Sequence, residues 1–238
     1  MNTAELPGGA HVLTDPIAVA AAAAQWISEQ CSGGNAFRIA CAGGSTPQFL
    51  YEALASSTFR DRIDWQLWHI FFGDERAVPP EDPKSNYRLL NDTMLSRVAV
   101  PPSQVHRMEA ERPDLDNAAA DYSRLLEAEA GNPPRFDVVL LGLGVDGHTA
   151  SLFPGTAALD VGEVWATRGQ ATDQPVDRIT LTLPALNAAA HVAFLVTGPT
   201  KADALRGVID GTVPAARVRP QDGELLWFLD SSAARSLS

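Results

Sequence analysis

The stretch "FDVVLLGLGVDGHTASLFPG", residues 136–155, decides how this chain folds. It opens as a near-continuous apolar run, the pattern of a strand buried on both faces in a parallel sheet. Gly142, Gly144 and Gly147 then match G-x-G-x-x-G, the turn that sets a pyrophosphate on a helix N-terminus. The rest of that fingerprint is missing. Pro154 and Gly155 arrive within eight residues of Gly147 and cut any helix short. The run also lies beyond the middle of the chain, and only Asp160 and Glu163 stand near the place of a ribose-binding acid. No dinucleotide is therefore expected. The glycines read as a turn of close backbone approach that presents Asp146 and His148 at a strand's carboxyl end.

Runs of the same kind recur on both sides: "FRIACA" (37–42), "WHIFF" (68–72), "ITLTL" (179–183), "HVAFLV" (191–196) and "LLWFL" (225–229). Between them lie helix patterns. The first opens on Thr14–Asp15–Pro16, a good cap with proline in the first turn, and runs to about Gln30. Thr46–Pro47 opens a second in the same way, and residues 84–98, 117–130 and 201–210 carry three more. This alternation predicts a mostly parallel sheet covered by helices on both faces. The segment from Gly155 to Pro175 has no assignable periodicity, and "VPPEDPKSN" and "GNPPRF" read as proline-rich loops. Without repeats or a long linker, residues 1–238 are expected to form one α/β domain.

Bulk properties remove several functions. With 18 basic and 29 acidic residues the net charge is −11, which repels nucleic acid and anionic lipid. An anionic ligand would need a few local cations to overcome that field. Cys31 and Cys41 make no disulfide framework, and a reducing compartment fits them better. The start "MNTAELPGGAHVL" lacks a signal peptide's basic and apolar regions, and "IAVAAAAAQWI" is too short to span a membrane. The expectation is a cytoplasmic protein; oligomeric state is left open, with a monomer as the simplest case.

Four strand ends carry unusual sequences, and ligands of open α/β sheets bind at such ends. In "IACAGGSTPQFL", Gly43 and Gly44 leave the strand, and Ser45 and Thr46 add hydroxyls at a helix start, a site for phosphate or simply a capped turn. In "HIFFGDERAVPPEDPKSNY", Arg76 offers a forked donor and Asp74 a base or an orienting carboxylate, unless the cluster is only solvated; Ser85 and Asn86 add hydrogen bonds or start a helix. The third end presents His148, an imidazole, the side-chain type whose ordinary pKa lies nearest neutral pH. In "HVAFLVTGPTKADAL", Lys201 stands at the positive end of a helix, a place that favours an anion beside it. The five histidines show no metal-ligand spacing, so no metal is expected, and "GGSTP" is not a nucleophile elbow.

Taken in order, "AGGSTP", "FFGDERAVPPEDPKSNY", "LLGLGVDGHTASLFPG", "RITLTLPALNAA" and "LVTGPTKADAL" resemble the family of 6-phosphogluconolactonases and glucosamine-6-phosphate deaminases. The resemblance runs from about Ala42 to the last strand. It implies a Rossmann-like three-layer sandwich without a nucleotide cofactor, and hydrolysis of a phosphorylated sugar lactone. It implies His148 as general base with Asp146 tuning or orienting the site, and Gly44, Ser45 and Thr46 as a phosphate loop with Arg76 and Lys201 as cations. Arg178 is a further candidate cation, with Arg168 as its rival. The deaminase branch has an acidic residue five positions after the motif histidine; here that position is Phe153, which supplies no proton. The alternatives are a sugar-phosphate deaminase or isomerase, and a non-catalytic sugar-phosphate-binding module that would not need His148.

Overall fold

A computed structural model describes residues 5–170 and 176–237. Its strands are β1 (Gly9–Leu13), β2 (Phe37–Cys41), β3 (Trp68–Phe72), β4 (Asp74–Arg76), β5 (Val138–Leu141), β6 (Ala166–Gly169), β7 (Arg178–Leu181), β8 (His191–Val196) and β9 (Glu224–Asp230). Six of them form one sheet in the order β1-β9-β8-β5-β2-β3, with every pairing parallel. Parallel strands need crossovers, which the helices provide. These are α1 (Pro16–Gln30), α2 (Ser45–Leu54), α3 (Asn86–Thr93), α4 (Leu115–Ala130), α5 (Leu183–Asn187) and α6 (Ala202–Ile209). The result is the expected three-layer α/β sandwich.

The apolar runs explain the sheet. All four residues of β5 are buried, and so are five of the six in β8. Phe194 stacks on Trp227 of the neighbouring strand, with ring centroids 4.0 Å apart. Helix α1 begins where Asp15 accepts hydrogen bonds from the Ile17 and Ala18 amides at 2.9 Å, and Pro16 takes the first helical position, where no amide is needed. None of the described helices is long and apolar enough to cross a membrane.

Three expectations change. The run "ITLTL" does not join the parallel sheet: β7 pairs antiparallel with β4 and β6 in a separate three-stranded sheet. The charged triplet Asp74–Arg76 is itself a strand, and the unassigned region supplies β6; residues 171–175 of that region lie outside the described residues. Ser45 and Thr46 do not cap α2 with their side chains. Gly44 is the N-cap, and the Thr46 hydroxyl pairs instead with Thr197 Oγ1 at 2.7 Å.

Candidate active site

β8, β5, β2 and β3 are consecutive in the large sheet, so the four segments that follow them meet at one edge. They enclose a cavity of about 270 Å³ lined by Gly43, Gly44, Ser45, Thr46, Asp74, Arg76, His148, Arg178 and Lys201, among others. Asp146 does not line it but stands behind His148. Arg168 is not in the wall, and its Nη2 is bound to Asp177 at 2.5 Å, so the geometry favours Arg178 over its rival. A more open groove of about 500 Å³ beside Trp165 and Leu183 holds only Asp160 and Arg217 as charged groups, and these pair with each other.

The glycine turn is built around the imidazole. The Gly144 amide donates to the His148 carbonyl at 2.8 Å, closing the loop. A side chain at Gly144 would collide with the ring, because a β-carbon there would lie 2.1 Å from His148 Nδ1. That is why this position is glycine, independently of any pyrophosphate. No helix follows β5; the next helical turn is a short one at Ala157–Asp160. Asp146 Oδ1 accepts from the His148 amide at 3.1 Å and lies 2.5 Å from Nδ1. Burial pushes the Asp146 carboxyl up, but these two hydrogen bonds and the imidazole's charge outweigh it and hold it below the usual range. An ionised carboxylate only accepts, so Nδ1 carries a proton, and in the neutral imidazole the lone pair is then on Nε2. Phe153 packs on the imidazole, with ring centroids 4.4 Å apart, and the Arg178 guanidinium lies over the same phenyl ring at 5.5 Å.

Asp74 is buried and heavily tied. Its Oδ2 accepts from Ser151 Oγ at 2.6 Å, its Oδ1 from Asn86 Nδ2 at 3.1 Å, and Arg178 Nη1 lies 3.9 Å away. Asn86 reaches it because Gly43 leaves room: a β-carbon there would fall 1.9 Å from Asn86 Oδ1. The adjacent Glu75 turns the opposite way. Its carboxylate accepts from the Arg76, Asn86 and Tyr87 amides and from Ser85 Oγ, and so fastens the first turn of α3. Burial raises its pKa, with the three amide bonds pulling the other way. Ala150 has φ of +48°, a left-handed conformation uncommon for a residue with a side chain, between Thr149, which bonds Gly142 O, and Ser151, which bonds Asp74.

Three cations, Arg76, Arg178 and Lys201, also line the cavity. Arg76 and Arg178 are directly opposed in the β4–β7 ladder, a concentration of positive charge that favours an anion beside it. Arg76 Nη1 donates to Lys84 O at 2.6 Å, while its Nε is buried with no partner among the described residues. Lys201 closes a single 3₁₀ turn ahead of α6; burial lowers its pKa, against the pull of the Asp146 charge. Its loop is held by Asp230, which accepts from the Gly198 amide at 3.1 Å with both oxygens. Sequence reasoning missed Ser151, Thr197 and Asp230; each acts through a long-range contact that no local motif announces. The buried Cys41 thiol is pushed up to about 12 and is no nucleophile.

The family profile described as glucosamine-6-phosphate isomerases/6-phosphogluconolactonase matches residues 14–227. The chain belongs to this family. It is 43% identical to a 6-phosphogluconolactonase of Synechocystis over 84% of each chain. It is 38% identical to a 6-phosphogluconolactonase of Rattus norvegicus over 99% of this chain and 96% of that one. Among solved structures, 6-phosphogluconolactonase of Trypanosoma brucei superposes with a TM-score of 0.85 and 30% identity, covering 98% of this chain and all of the other. A monomeric glucosamine-6-phosphate deaminase shares the fold, with a TM-score of 0.84, at 19% identity.

Proposed function

We propose that the chain hydrolyses 6-phospho-D-glucono-1,5-lactone to 6-phosphogluconate, with His148 as general base. The observation that carries the mechanism is the Asp146–His148 pair, whose Nδ1 contact at 2.5 Å leaves Nε2 free in the cavity wall. A δ-lactone is an activated ester and needs one positioned water, one base and stabilisation of the carbonyl oxygen. Nε2 takes a proton from water as its oxygen attacks C1. The tetrahedral intermediate then expels the ring oxygen, which recovers that proton from the imidazolium, and the new acid ionises. Arg76, Arg178 and Lys201, with the Gly43–Thr46 loop, hold the phosphate and so fix C1 beside the water. Asp74, held by Asn86 and Ser151, orients Arg178 and the sugar hydroxyls.

The 6-phosphogluconolactonase relatives support the substrate, and Phe153 beside His148 supports the lactonase over the deaminase branch, because it offers no acid for opening an amino sugar. All four cavity segments come from one chain, so we take residues 1–238 to work as one domain and a monomer to suffice; the cytoplasm is the compartment that fits. The test is a coupled assay on freshly made lactone with spontaneous hydrolysis subtracted. Rapid consumption is expected, with no ammonia from glucosamine 6-phosphate. A rate no faster than background, or steady ammonia release, would defeat the proposal.

A further inference from the structure

At the other end of the large sheet the fold joins two histidines that stand far apart in sequence. His69 is the second residue of β3, the edge strand, near its amino end; the cavity segments leave the carboxyl ends. His106 follows a 3₁₀ turn, and its segment extends the edge: Val105 bridges to Ile70, and the His106 amide donates to Ile70 O at 2.8 Å. The two imidazoles meet through His69 Nδ1 and His106 Nε2, 3.3 Å apart. Glu129, in the last turn of α4, completes a triad in which one ligand atom of each residue lies within 4.8 Å of the others. Arg38, opposite His69 in the β2–β3 register, donates from Nε to the Glu129 carbonyl at 2.8 Å and so anchors the end of α4 over the sheet edge.

We propose that His69, His106 and Glu129 form a binding site for a divalent transition-metal ion, with zinc the best match, separate from the catalytic cavity. Two imidazoles and a carboxylate are borderline donors that suit zinc and do not suit magnesium or calcium, which take oxygen ligands. The spacing fits as well. Zinc–nitrogen bonds of about 2.0–2.1 Å at a tetrahedral angle place two nitrogens roughly 3.3–3.4 Å apart. The rings now lie nearly coplanar, 11° apart with centroids at 5.6 Å, so a proton bridges the nitrogens almost in line. An entering ion takes the place of that proton, which moves through solvent to the other nitrogen of the same ring so that both imidazoles stay neutral, and each ring tilts in its own plane to aim its lone pair. Phe71, stacked on His106 at 4.5 Å and 17°, permits this in-plane tilt while holding the ring's face. Glu129 is exposed and can swing in, and water fills the fourth position. The ion would tie β3, the His106 segment and α4 together, a structural role.

The test titrates zinc into metal-free full-length protein, in competition with a chromophoric chelator, and follows Tm in parallel. One ion per chain and a higher Tm are expected in the wild type and equally in His148→Ala. Affinity should fall at least tenfold in His69→Asn and in Glu129→Gln, with the Tm gain lost, while activity without added zinc stays unchanged in both. Glu129 is exposed, so Glu129→Gln separates ligation from folding damage. No binding to the wild type, undiminished binding in both variants, or binding abolished only by His148→Ala would overturn the site; the last would move the ion to the catalytic cavity.

Discussion

In the six-stranded sheet the strands are mostly apolar and the cavity residues follow their carboxyl ends; in the three-stranded sheet the charged residues lie within the strands themselves. β5 contributes four buried aliphatic side chains, and His148 comes only after the turn beyond it. β4 and β7 carry Asp74, Glu75, Arg76 and Arg178 in the ladder, all but Arg76 buried. The large sheet is thus a mainly apolar frame, with Asp230 buried at the carboxyl end of β9, and the small one carries carboxylates and guanidinia within its ladder. The expected consequence is that substitutions on the turns of the large sheet change chemistry, whereas those in and around the small sheet change binding and stability together.

The sharpest test is His148→Ala. The proposed base sits on a turn outside the core, so we expect the fold and product binding to survive. We expect kcat to fall by roughly 10²–10⁴, the usual weight of a general base. Steady-state kinetics at low pH, with background subtracted, checks this. Near wild-type kcat would turn the search for the base to Asp74, and the division of labour between the two sheets would collapse.

Arg76→Ala probes the charged ladder. It removes one member of an opposed arginine pair, and with it the proposed charge-assisted contact to phosphate, of about 1.5–3 kcal/mol. We expect kcat/KM to fall by roughly ten- to a hundredfold, mostly through KM, because the reacting carbon is untouched. The unphosphorylated lactone should lose nothing. An equal loss on both lactones would show that Arg76 does not read the phosphate.

The same contrast explains what was legible in the sequence. Val138–Leu141 and His191–Val196 announce themselves because a strand buried on both faces must be continuously apolar. Asp74–Arg76 and Ala166–Gly169 do not: the first pairs with a strand about a hundred residues away, and the side chains of both are polar or small. The site was readable wherever a glycine turn left a strand, as at Gly43–Thr46 and Gly142–His148. The caps expected of Ser45 and Thr46 failed because Gly44 takes the cap and Thr46 is claimed by Thr197. Ser151 was invisible: its role depends on the left-handed turn at Ala150, which no residue type there advertises.

Ser151→Ala should have a smaller, mixed effect. It strips the 2.6 Å donor from a buried carboxylate, at a cost of about 1–3 kcal/mol in stability. Tm should drop by several degrees and kcat/KM by several-fold, while Ser151→Thr retains part of both. Unchanged Tm in the alanine variant would mean that Asp74 is satisfied without Ser151, and that the small sheet's charges are less tightly balanced than the distances indicate.

The smallest expected effect is a pH dependence at Lys201, on the turn after β8. Burial lowers the lysine's pKa from 10.5, so the side chain loses its charge earlier on the alkaline side than a solvated lysine would. The charged form is the one proposed to bind phosphate, so affinity for 6-phosphogluconate should weaken by a few-fold as pH rises, beginning at lower pH than for a solvated lysine. Lys201→Arg should abolish that limb, because a guanidinium keeps its proton. Stability runs the other way. A lysine with a lowered native pKa costs the fold while it is charged, and the cost is relieved as pH rises from the native value towards that of the unfolded chain. Lys201→Met should therefore raise Tm at neutral pH while weakening ligand binding, with the Tm difference shrinking in alkali. If Lys201→Met instead lowers Tm at every pH, the ammonium is stabilised by the Asp146 charge more than it is penalised by burial. This turn would then behave like the paired charges of the small sheet rather than like the reactive turns of the large one.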